Sequence, residues 1–154
     1  MTSPEEMRGA TAADVPAITA LVHAAYAKWV PAIGREPLPM TVDYADAVLR
    51  HRFDLLCRGD AIVALIETAR REDDVLIVNV AVAPSEQKRG HGRRLLAHAE
   101  ALAREAGVPV LRLYTNARFT SNVALYAALG YGVERDEPFG LGRRLHMVKA
   151  VAVD

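Results

Sequence analysis

The residues most able to do chemistry sit together in Ala83-Pro84-Ser85-Glu86-Gln87-Lys88-Arg89-Gly90-His91-Gly92-Arg93-Arg94. Gly90 and Gly92 permit a tight turn of the backbone, and the residues beyond them have helical spacing. Such a turn exposes several main-chain N–H groups at the positive end of a helix dipole, which favours a phosphate. Lys88, Arg89, Arg93 and Arg94 crowd the same helix start, where cations are disfavoured by roughly 0.3–1 kcal/mol each. A bound anion explains that placement; a solvated basic loop is the plainer alternative. The loop is no Walker A motif, which requires Gly-Lys-Ser/Thr. It is no dinucleotide fingerprint either, because Leu95 stands where the third glycine belongs and the next strand ends at Thr115-Asn116 without an acid.

Tyr126 is a second candidate, since a phenol can act as a proton donor. Its neighbours Ala124, Leu125, Ala128 and Leu129 equally suit a packing role. Tyr26, Trp29 and Tyr44 place three of the nine aromatic residues in one short span rich in proline. They could wall a pocket for a small amphiphilic or cationic amine, or pack a helix onto a sheet. His23, His51, His98 and His146 are scattered without metal-ligand spacing, and Cys57 reads as a buried strand residue. No metal site is expected.

These residues need elements to hold them. A short extended piece over 7–10 leads to Asp14, which can cap a helix near 15–28 with Pro16 in its first turn. Residues 29–39 read as an ordered loop with three of the eight prolines. Residues 41–51 predict a second helix with Val42, Ala45, Val48 and Leu49 inward. Strands follow at 53–58, 61–68 and 75–83, apolar along nearly their whole length, as when helices cover both faces of a sheet. Residues 93–106 form the clearest amphipathic helix, stopped by Gly107 and Pro109. Then come a strand at 110–116, a helix at 121–129, a strand at 131–135 and a last strand at 145–151, expected at the sheet edge. The order predicts one mixed α/β sheet with helices on both faces, as a single domain over 1–154.

Composition agrees and excludes other classes. The 154 residues are 51% apolar, enough for a core, and 19 basic residues balance 19 acidic ones. A net charge of zero argues against a nucleic-acid or membrane-surface binder. The single cysteine allows no intrachain disulfide. The longest apolar run, Val123–Leu129, is seven residues, against roughly 20 needed to span a bilayer. Residues 1–6 lack the features of a signal peptide, so a cytoplasmic location is expected.

Gln87-x-x-Gly90-x-Gly92 after an apolar strand resembles the GNAT superfamily of acetyl-CoA-dependent N-acetyltransferases. The resemblance spans nearly the whole chain. Arg8-x-Ala-Thr-x-x-Asp14-x-x-x-Ile18 is similar to the family's opening strand and helix. Val78-Asn-Val-Ala-Val-Ala-Pro84 is similar to its fourth strand, and Asn122 to Tyr131 to its last helix and following strand. It implies an α/β (α+β) fold with a mixed, mostly antiparallel central sheet. It also implies acetyl-CoA as donor and attack by a primary amine in a ternary complex.

Carried over, Gln87, Lys88, Arg89, Gly90, His91, Gly92 and Arg93 would bind the CoA pyrophosphate through backbone amides. Val80, Ala81 and Val82 would pair with the pantetheine arm, the Val80 amide holding the thioester oxygen. Asn122 would touch that arm, and Tyr126 would protonate the departing thiolate. Many members carry a glutamate on the fourth strand as base. Here 75–84 holds no acid, and Leu76 stands where some relatives have Glu. Glu67, Asp73, Asp74 or a water relay are the alternatives. The acceptor amine is not specified, and a homodimer stays open. The rival reading is a non-catalytic acyl-CoA-binding module on the same fold.

Overall fold

The computed structural model describes residues 5–152; residues 1–4, which carry most of the reading that no signal peptide is present, and 153–154 lie outside the described residues. The elements run β1 (Glu5–Gly9), α1 (Val15–Tyr26), α2 (Val30–Ile33), α3 (Tyr44–Arg50), β2 (Arg52–Arg58), β3 (Ala61–Arg70), β4 (Val75–Val82), α4 (His91–Ala106), β5 (Val110–Asn116), α5 (Thr120–Ala128), β6 (Gly132–Phe139) and β7 (Gly142–Ala150). Short 3₁₀ turns precede α1, α2 and α3. α2 and the turns on either side of it occupy much of the segment expected as an ordered loop over 29–39.

One seven-stranded sheet forms in the order β1-β2-β3-β4-β5-β7-β6. All its pairings are antiparallel except β4 with β5, so the expected mixed, mostly antiparallel sheet is found. The last strand is not at the edge. β7 inserts between β5 and β6, and β6 with its charged run and Pro138 forms the edge instead. Charge and proline are how an edge avoids pairing with another chain.

The apolar strands are explained by a core on each face. Leu56, Ala64 and Ile66 meet Leu95, Leu96 and Ala99 of α4 on one side. Leu55 and Leu65 meet Ile18, Leu21 and Val22 of α1 on the other. Asp14 does not cap α1 with its side chain. Its carboxylate accepts from the Thr11 N–H and takes both arms of Arg8, tying β1 to the helix start. α3 begins at Tyr44 because Asp43 caps it, accepting from the Ala45 N–H at 3.0 Å. That shifts its inward face to Tyr44 and Ala47, leaving Leu49 83% exposed.

β4 carries the irregularity that matters. Glu67 pairs with Asn79 and Thr68 with Ile77, so Val78 has no partner and forms a bulge. Ile77 packs in the α4-side core and Ala81 in the α1-side core.

Candidate active site

β4 and β5 pair only over Val75–Ile77 and Leu111–Leu113, then part. The edge of β4 beyond Ile77 is therefore open. The Ala83 N–H bonds Val63 O on β3. By alternation, the amides and carbonyls of Val80 and Val82 turn away from β3 into the gap. Two side chains report the same direction: Gln87 Nε2 donates to Val82 O at 3.2 Å, and Tyr26 Oη approaches Val80 O at 3.3 Å. The backbone groups of Ala81 turn the other way, opposite Leu65.

At the mouth of the gap stands the start of α4. Gly90 adopts φ +85° and Lys88, unusually for a residue with a side chain, φ +66°. The first intrahelical bond runs from Arg94 N to Gly90 O, so the amides of His91, Gly92 and Arg93 precede the ladder. No side chain caps this end. Gly92 faces α5, where a Cβ would come within 3.2 Å of Leu125 Cδ2. The His91 side chain turns inward to Glu86, 3.2 Å away, leaving its backbone to line the cleft. Glu5, Glu86 and His91 lie together, but the Arg58 guanidinium already bonds both carboxylates at 2.6–3.1 Å. With Arg58 foremost among its causes, the Glu86 carboxyl is held down at about 2.

Two clefts meet in this region. One is lined by Glu86–Lys88, Gly90–Arg93, Val80–Val82, Lys28 and Trp29, while Arg89, expected at the cofactor, turns toward Glu86 at 3.8 Å. The other, of about 210 Å³, is lined by Tyr44, Glu67, Asn79, Phe119 and residues of β5 and β7. Tyr26, Val80, Asn122 and Tyr126 line both. Of the three aromatic residues singled out in the sequence, Tyr26 stands at the junction and Tyr44 in the second cleft. Trp29 lies in the first, stacked on Phe119 with centroids 5.0 Å apart.

Tyr126 is the one buried residue of α5. Ala124 and Ala128, expected to surround it with core, are exposed. Burial alone pushes its phenol up to about 12. Among the described residues its hydroxyl takes part in none of the side-chain hydrogen bonds, so its proton stays available at the junction.

Of the candidate acids, Glu67 alone lines the second cleft. It is not a surface residue: 3% of it is exposed, and His51 Nδ1 lies 2.7 Å from its Oε2. Burial raises its pKa, with His51 opposing. Asp74 is also buried but is closed by Arg71 and Arg112 at 2.6–2.9 Å. Asp73 is exposed in the β3–β4 turn.

Sequence reasoning missed Asn79 and His51. Asn79 Oδ1 accepts from Tyr26 Oη at 2.7 Å, and its Nδ2 donates to Tyr44 Oη at 3.2 Å. Tyr44 Oη in turn donates to Pro39 O at 2.7 Å. The signal was present, because Asn79 is the one polar residue in Val75–Val82. His51 carried none, since only the fold brings it to Glu67.

The pattern of the Acetyltransferase (GNAT) family matches residues 19–131. The chain belongs to this family. The sequence has no match among curated proteins. Solved structures agree on the fold. The PaiA N-acetyltransferase of Thermoplasma acidophilum, solved with coenzyme A, superposes with a TM-score of 0.81 at 16% identity, over 95% of this chain and 98% of that one. The ribosomal-protein-S18-alanine N-acetyltransferase of Escherichia coli gives 0.79 at 23% identity, over 97% and 96%. YncA of Salmonella typhimurium, described as an acetyltransferase and solved with its cofactor acetyl-CoA, gives 0.72 at 21% identity, over 99% and 96%. Among the described residues of this GNAT protein, no helix is long and apolar enough to cross a membrane.

Proposed function

We propose that the protein is an acetyl-CoA-dependent N-acetyltransferase in which a primary amine attacks the donor directly in a ternary complex. The observation that carries this reading is the junction. A cleft with an open strand edge and an uncapped helix start meets a second cleft holding a buried acid, and Tyr26, Val80, Asn122 and Tyr126 are common to both. Similar folds solved with coenzyme A and acetyl-CoA support it.

Acetyl-CoA supplies an acyl group activated as a thioester. The amides of Gly90 to Arg93 suit its pyrophosphate. The groups of Val80 and Val82 that face the gap suit the two amides of pantetheine, as an added strand would. Val80 N–H donates to the thioester oxygen as negative charge grows there. Glu67, directly or through one water, takes the proton that the ammonium loses, and His51 passes it outward. Nitrogen then bonds the acyl carbon and the C–S bond breaks. The amide nitrogen sheds its surplus proton to water, which later restores the Tyr126 phenol, and Tyr126 gives its own proton to the sulfur. A phenol raised to about 12 can do so only where the thiolate is itself made more basic, and the same dry junction has that effect.

Thiol release from acetyl-CoA, measured across a panel of amines, tests the proposal. Acceleration by at least one amine is expected. If acetyl-CoA binds and no amine accelerates release, a non-catalytic acyl-CoA-binding module takes its place.

A further inference from the structure

The second cleft is acidic on one side and cationic on the other. Glu67 and Asn79 belong to β3 and β4, while Arg144 lies on β7 across the parting of the strands, opposite Asn116. Arg35, after α2, lines the same cleft. Most guanidinium groups of this chain close on carboxylates: Arg8 on Asp14, Arg52 on Asp54, Arg112 on Asp74, Arg143 on Asp136. Arg50, which also lines the cleft, closes on Asp46 at 2.8 Å. Among the described residues the guanidinium groups of Arg144 and Arg35 take part in no ion pair and no hydrogen bond. The carboxylate whose titration feels Arg144, that of Glu137, is closed by His146 at 2.7 Å and Arg135 at 2.6 Å.

Aromatic rings hold these two arginines in place. Arg144 lies 3.7 Å from the centroid of Phe139 and 4.7 Å from that of Tyr114, and Arg35 lies 5.5 Å from Phe139. Stacking occupies the face of a guanidinium and leaves its in-plane N–H donors free, and those donors match a carboxylate two to two. Ile33, Leu38, Val42 and Phe119 supply an apolar stretch of wall, beside the polar Thr115, Asn116 and Asn122.

We infer that the acceptor is a small amino acid with an apolar side chain. Its carboxylate sits on Arg144, with Arg35 at the mouth, and its amine faces Val80 and Glu67. The fate of the amine rests on the acetyltransferase reading; recognition of the carboxylate does not.

Calorimetry with CoA present and two matched pairs of probes tests this: phenylalanine against phenethylamine, and leucine against isoamylamine. The members of each pair differ only by the carboxylate. In the wild type at least one amino acid binds tenfold or more tighter than its decarboxylated partner, as expected for a charge-assisted pair. Arg144→Met, which keeps an apolar stem between the rings, loses that preference, and Arg144→Lys recovers part of it. Arg35→Met, at an exposed position, weakens the amino acid severalfold with an unchanged melting temperature, and decides the matter if Arg144→Met does not fold. Equal affinity within both pairs, no heat from any probe, or a preference that survives both methionine variants overturns the inference. Thiol release with the same probes keeps the two readings apart. Discrimination in binding without any acetyl transfer defeats the enzyme reading alone. Transfer to each amine as fast as to its amino acid defeats this inference alone.

Discussion

Tyr126 and Glu67 are both buried ionisable groups whose burial favours the protonated form, and their roles use this in opposite ways. Tyr126 must carry a proton until the thiolate appears, so a raised pKa suits it. Tyr126→Phe is expected to lower turnover by roughly 10²–10⁴, the usual worth of a positioned acid, with acetyl-CoA affinity by calorimetry nearly unchanged. Unaltered turnover removes Tyr126 from that role. Glu67 must be ionised to accept a proton. Its pKa is raised in the fold, so kcat/KM is expected to fall as pH drops through a value above the ordinary carboxylate pKa of about 4.3. His51 holds that pKa down. In His51→Gln the acid limb of the profile therefore moves to higher pH, and a limb that stays in place refutes the pairing. Little of this was legible in the sequence. Glu67 could be named as one candidate among several, but its burial depends on strand pairing, and its partner His51 lies 16 residues away along the chain.

At the scale of elements, the start of α4 and the edge of β4 act together. Gly92→Glu sets bulk against Leu125 and negative charge where the helix dipole favours an anion. Binding of CoA is expected to disappear from calorimetry while far-ultraviolet circular dichroism remains; normal affinity contradicts the phosphate placement. Asn79→Leu removes the link between Tyr26 and Tyr44 and leaves buried hydroxyls short of a partner, a loss of about 1–3 kcal/mol, measurable by urea unfolding. The helix start was legible because glycine, the preceding apolar strand and misplaced cations all point to one turn. The slot taken by β7 was not, because half-buried alternation looks alike in an interior strand and an edge strand. The charged run with Pro138 was a readable mark of the true edge that the order of strands along the chain obscured.

For the whole molecule, two cores share one sheet, so occupying the cleft between its halves couples to global stability. CoA at a hundredfold excess over its Kd adds about 2.7 kcal/mol, which for a chain of this size raises Tm by about 5–10 °C. Absence of any shift in a thermal melt sinks the donor site. Fold class was legible throughout, since apolar strands and amphipathic helices fix a covered sheet whatever the order of its strands.

The extra residue at position 78 has a last consequence. A strand with strict two-residue periodicity presents each side chain to one fixed side for its whole length, but β4 changes parity midway. Its first half furnishes the floor beneath α4, while its second half sends Asn79 and Ala81 under α1. Excising Val78 would leave Ile77 opposite Thr68 and Asn79 opposite Glu67 in an unbroken ladder, with every later side chain on the side it already occupies. What the excision removes is the bend and added twist that a bulge gives its strand, at the point where β4 leaves β5. In this stretch the surplus residue therefore steers the strand away from its neighbour without altering which residues meet β3.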